Sequence, residues 1–177
     1  MLLGGGAALA LAVAAMGFFV RGVLPPLTEA DVARAESRWR AAGPSDYDMF
    51  VRVTGRQPSE FRVEVRGGEP AALTRNGNAT PRRMWDVWTV PGLFDTIRQE
   101  TDQAGNPTRP FGSPPGTQVV QRVQFDERYG YPARYERIVM GTPLEIAWEV
   151  AEFHAIASEA RGGEHKPSAR ERGASAP

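Results

Sequence analysis

The pattern of apolar and polar residues predicts an α+β domain. It has an antiparallel sheet of about five strands with helices on one face, and an N-terminal transmembrane or signal helix precedes it. Three observations predict this. Five short runs alternate apolar and polar side chains, the period of a half-buried strand. Two other runs follow a threonine cap and place apolar residues three and four apart, as a helix lying on a core does. Glycine, proline and acidic residues mark the reversals between alternating runs, so neighbouring strands are joined by hairpins. The expected order is helix, two strands, helix, three strands.

Residues 1–24 form a signal anchor or signal peptide. Residues 2–20 carry no charge. As a helix they would span about 28 Å, close to the ~30 Å hydrocarbon thickness of a bilayer. Arg21 ends the run and Pro25-Pro26 follows. Ala12-Val13-Ala14 has the small-x-small form of a signal-peptidase site. Cleavage there would leave Phe18, Phe19 and Val20 exposed, so a retained anchor is the reading adopted. Arg21, lying after the run, favours a cytoplasmic domain under the positive-inside rule.

Residues 27–156 form the single α+β domain. Thr28 caps its first helix, with Asp31 three residues on. Val32, Ala35, Trp39 and Ala42 share one face, and Gly43-Pro44 ends the helix. If Trp39 is buried, Trp39→Ala costs about 3–5 kcal/mol. Tyr47, Met49, Val51 and Val53 alternate, as do Phe61, Val63 and Val65, with residues 55–60 as the connecting loop. Residues 67–88 hold turn signals at Gly67-Gly68 and Asn76-Gly77 but no clear period. Thr89 caps a short helix carrying Leu93, Phe94 and Ile97, and Pro91 is tolerated in its first turn. Residues 101–118 read as a Pro/Gly-rich loop, long enough for a lid. A three-strand meander follows. Its first strand carries Val119, Gln121, Val123 and Phe125, and its second Ala133, Tyr135, Arg137 and Val139. The third carries Leu144, Ile146, Trp148 and Val150. Between the first two, Gly130 suits a positive φ and Pro132 the first position of a strand. Residues 157–177 are polar and small and read as a disordered tail.

Residues 125–135, FDERYGYPARY, resemble the YDPxxGYP hairpin of a bacterial family of exported proteins known as domain of unknown function 6174. Trp39 with Asp46-Tyr47 resembles that family's first helix and strand. Residues 89–97 resemble its second helix, and residues 148–153 its closing strand. The resemblance covers roughly residues 39–153 with gaps, and the chain departs from the family pattern in lacking cysteine. It implies an exported domain without an assigned activity, and so places the domain on the extracytoplasmic side of a single-pass membrane anchor. The alternative location is periplasmic or secreted, after signal cleavage.

The composition excludes several chemistries. Without cysteine there is no disulfide, thiol catalysis or thiolate metal site. Net charge is zero, so no nucleic-acid partner is expected. His154 and His165 do not stand at metal-ligand spacing. No G-x-S-x-G elbow, phosphate loop or dinucleotide fingerprint is present. No catalytic residue, cofactor or metal is therefore expected. Asp126 reads as an Asx-type turn residue, and Glu149 as a member of the solvated strand face. The candidate partner-binding residues are Arg128, Tyr129, Tyr131, Arg134 and Tyr135, because tyrosine and arginine are enriched at binding hot spots. The competing reading packs those tyrosines on their own sheet. The expected function is a non-catalytic binding or accessory module of the cell envelope. It meets the membrane through residues 2–20 and an envelope protein or peptide through the tyrosine-rich hairpin. Two alternatives remain. One is a structural protein that self-associates through the apolar helix. The other is an exported hydrolase whose acids, Asp126 with Asp95 or Glu149, share a pocket.

Overall fold

The computed structural model describes residues 23–157. The apolar run at residues 2–20 and the tail from residue 158 onward lie outside them. Among the described residues no helix is long and apolar enough to cross a membrane. The fold is α+β, as the patterning requires, with a seven-stranded antiparallel sheet in place of the expected five. Helix α1 (Glu29–Ala42) precedes β1 (Tyr47–Gly55), β2 (Ser59–Arg66), β3 (Glu69–Arg75) and β4 (Asn78–Ala79). Helix α2 (Val90–Ala104) leads to β5 (Val119–Phe125), β6 (Pro132–Val139) and β7 (Glu145–Ala155). The strand order is β4-β3-β2-β1-β7-β6-β5, so the last strand closes the sheet between β1 and β6.

The two extra strands occupy the stretch without a clear period. Turns at Gly67-Gly68 and Asn76-Gly77 take positive φ and set β3 and β4 beside β2. Only Pro70 and Leu73 of β3 are buried, and the pairing with β2 slips between Glu64 and Val65. A short strand with a proline and a broken alternation leaves almost no sequence signal. The second helix is also longer than expected. It runs to Ala104, so the loop shrinks to residues 105–118 and contains a 3₁₀ turn at Pro110–Gly112.

Both helices lie on one face because their apolar residues enter one core. Val32 and Ala35 of α1, and Leu93, Phe94 and Ile97 of α2, pack with Met49, Val51, Val63, Val123 and Trp148 of the sheet. Thr28 caps α1 by accepting the Asp31 N–H at 3.1 Å. Thr89 caps α2 by accepting the Gly92 N–H at 3.2 Å. The Tyr47 hydroxyl accepts the Val90 N–H at 3.0 Å, tying the start of α2 to β1. Gly43 ends α1 with an ordinary negative φ. Its glycine serves contact instead, since a Cβ there would lie 2.6 Å from the Trp39 ring.

One irregularity decides what β7 buries. Trp148 and Val150 face the core opposite Val53 and Val51, but Glu152 is the residue opposite Phe50. Ala151 is thus the extra residue of a β-bulge, which reverses the alternation beyond it. Phe153 consequently rejoins the core face. There it stacks on Tyr47 (5.2 Å between centroids) and Tyr131 (4.4 Å) and meets Trp39 edge-on.

Candidate functional site

Candidate chemistry falls in three places: the β5–β6 hairpin tip, a polar cluster beneath α2, and the sheet face that no described helix covers. The hairpin tip follows its local sequence. The Asp126 carboxylate accepts the Tyr129 N–H at 2.6 Å, the Asx-type bond expected of it. Gly130 takes φ 85° and packs so closely on α1 that a Cβ would sit 2.4 Å from the Ala35 carbonyl. Arg38 donates to the Glu127 carbonyl at 2.8 Å. The turn is therefore docked against α1.

The five candidate partner-binding residues separate. Arg128 is exposed, with its guanidinium 4.7 Å from the Tyr129 ring centroid. Tyr129 and Tyr131 are half-buried against Phe153. Those three stay together at the tip. Arg134 and Tyr135 are consecutive strand residues and so point to opposite faces. Tyr135 enters the core at 1 % exposure, while Arg134 borders the open face across from Glu149.

Tyr135 belongs to a buried polar cluster that the sequence did not announce. Its hydroxyl donates to Glu100 of α2 at 2.6 Å and accepts from the Gln121 amide at 2.8 Å. Arg137 pairs with the same Glu100 at 3.3 Å, and Phe111 lies over its guanidinium at 4.0 Å. Burial pushes the Tyr135 phenol well above its usual range, and the Glu100 charge pushes it further. A tyrosine and an arginine two apart in β6, on the face that meets α2, were the available signal.

The third place is the sheet face opposite the helices. Here charges are set in cross-strand pairs: Arg52 with Glu149 at 2.9 Å, Arg122 with Glu136 at 3.4 Å, and Arg66 with Asp48 at 2.7 Å. Phe50 is buried on this side under the guanidinium groups of Arg62 and Arg52. A groove of about 600 Å³ crosses β1, β7, β6 and β5 and is bordered by Val23 and Leu24 of the incoming chain. Its polar lining includes Arg52, Arg122, Arg134, Glu136, Glu145 and Glu149. The groove needs the final strand order to exist, so it has no local mark in the sequence.

The carboxylates named for hydrolysis are engaged in different places. Asp95 pairs with Arg98 at 2.7 Å on α2, and Asp126 holds the hairpin turn. Glu149 pairs with Arg52 on the open face. Among the described residues no group of three or more acids and histidines is arranged to hold a metal ion. His154 is exposed, 4.0 Å from Glu152, and His165 lies outside the described residues. Compared with known proteins, the chain matches no family model, no curated protein and no solved structure.

Proposed function

We propose that this chain is an envelope-tethered binding module without catalysis, and that its partner lies on the open face of the sheet. The observation that carries this reading is that, among the described residues, the sheet is covered on one face alone. Both helices pack on one face, and the other keeps a groove of about 600 Å³ with paired rows of arginine and glutamate. Such a surface offers orientation-specific charge contacts to a partner, the kind of contact that sets register and excludes wrong partners. The tether rests on the uncharged run at residues 2–20 and on the resemblance of residues 125–135 to an exported family. Only residues 21–23 separate that run from Leu24, a reach of about 10 Å. An anchored domain would therefore hold this groove close to the bilayer, within range of a partner in or along the membrane. A second reading puts the partner on the hairpin tip, where Arg128 and Tyr129 stand together at the surface.

The experiment is site-specific photo-crosslinking in cells. A crosslinking residue at Thr54, in the groove, is expected to give a discrete protein adduct in the membrane fraction. That adduct should disappear when Arg52 and Arg122 are both changed to glutamate. An adduct from Tyr129 and none from Thr54 would move the surface to the hairpin tip. No adduct from either position would contradict the binding role.

A further inference from the structure

We propose that the outer edge of β5 takes an extended acidic peptide by strand addition, at the point where the incoming chain leaves it. This site is separate from the open-face groove. Residues 25–27 already run antiparallel to β5, with Pro26 opposite Arg122. The Leu27 N–H donates to the Gln121 carbonyl at 3.0 Å, and the Val123 N–H donates to the Pro25 carbonyl at 3.1 Å. In an antiparallel ladder the residue opposite Val123 also returns an N–H to the Val123 carbonyl. Pro25 has no N–H to return. The cover stops there for a chemical reason, and Leu24 turns onto the open face, where it borders the groove.

The next outward backbone groups on β5 belong to Phe125. Alternation sends its N–H and C=O away from β6, whereas the Asp126 N–H turns inward to the Tyr131 carbonyl at 2.8 Å. Among the described residues β5 is the last strand of the sheet, and no strand covers Phe125. These groups open on a second groove of about 400 Å³ between the β5 edge and α1. Pro25 and Pro26 lie at one end and Glu127 at the other, with Ala35 on the wall between. The edge has thus already accepted one extended segment through its main chain, and it continues beyond it into an open slot.

The charges on the helix wall select the occupant. The Asp31 carboxylate is taken by the Thr28 hydroxyl at 2.6 Å and by Arg34 at 2.8 Å. Arg38 donates only to a neutral acceptor, the Glu127 carbonyl, and pairs with no carboxylate among the described residues. Glu127 itself is exposed at the same end. An acidic side chain entering beside Arg38 gains a charge-assisted bond. A basic one meets Arg38 with only the exposed Glu127 to offset it, Arg34 being already neutralised by Asp31. Strand addition supplies affinity through the main chain, and the flanking side chains supply preference.

The test is an amide NMR titration of the full chain in detergent micelles with the peptide acetyl-Thr-Glu-Val-Glu-Thr-amide. The Phe125 amide is expected to shift saturably and to exchange about tenfold more slowly when the peptide is bound. The matched peptide with lysine in place of glutamate should not produce this. Arg38→Gln, which can still donate to the Glu127 carbonyl, should weaken the acidic peptide about fivefold while the Phe125 response survives at saturation. Shifts confined to Thr54 and Ala147, or no saturable shift, would overturn the site. Equal binding of both peptides would overturn the charge preference.

Discussion

At Tyr135 a single hydroxyl joins three elements: it donates to Glu100 of α2, accepts from Gln121 of β5, and sits on β6. Tyr135→Phe keeps the ring and removes both bonds, leaving the largely covered Glu100 carboxylate with Arg137 alone. The expected cost is about 1–3 kcal/mol, read as a lower midpoint in denaturant titration. Alkaline pH acts on the other packed tyrosines as well. Burial pushes the Tyr47 hydroxyl up to about 12, and burial with the Asp126 charge pushes Tyr131 up to about 12. Unfolded tyrosine ionises near 10. A group whose folded pKa is raised stabilises the fold below its unfolded value and loses that contribution as pH climbs to the folded value. Stability should hold to about pH 10 and fall between about 10 and 12, with phenolate absorbance appearing together with unfolding. In a Tyr129→Phe variant, where only Tyr47, Tyr131 and Tyr135 report, phenolate growth near pH 10 without loss of structure would contradict this. Part of this scale is legible in sequence. Asp126, Gly130 and Pro132 act within their own turn, and their residue types state their roles. The alternation of strand residues also separates Arg134 from Tyr135. The partner of Tyr135, thirty-five residues away on α2, leaves no local trace.

Among the elements, β7 depends most on one residue. The bulge at Ala151 lets Trp148 and Phe153, which differ in parity, face the same core. Deleting Ala151 should turn Phe153 out of its contacts with Tyr47, Tyr131 and Trp39, or force Trp148 out in its place. Either removes a large aromatic from the core face, up to about 3–5 kcal/mol where the buried Trp148 is the one lost, and calorimetry should show a broadened, lowered transition. A deletion variant with an unchanged melting temperature would contradict the assignment of the bulge. The strictly alternating strands and the two threonine-capped helices were readable because one face of each is buried. β3 was not, since Pro70, two alanines and a register slip erase its period. The length of α2 was hidden too, because its last turns carry Thr101, Asp102 and Gln103 with little apolar signal.

Among the described residues, the sheet face opposite the helices, the edge of β5 and the entering segment at Leu24–Pro26 lie side by side. Leu24 borders the open-face groove, and Pro25 and Pro26 border the edge groove. The fold class could be read from pattern alone. The placement of these surfaces could not, because it depends on β7 pairing with β1 about a hundred residues earlier. The proposed function depends on residues 2–20 holding the domain at a membrane. The intact mass of the protein recovered from fractionated cells tests that most directly. An uncut chain is expected in the membrane fraction, released by detergent and not by salt. A soluble species shortened near Ala14 would contradict the tether, and binding would then have to be sought with the free domain.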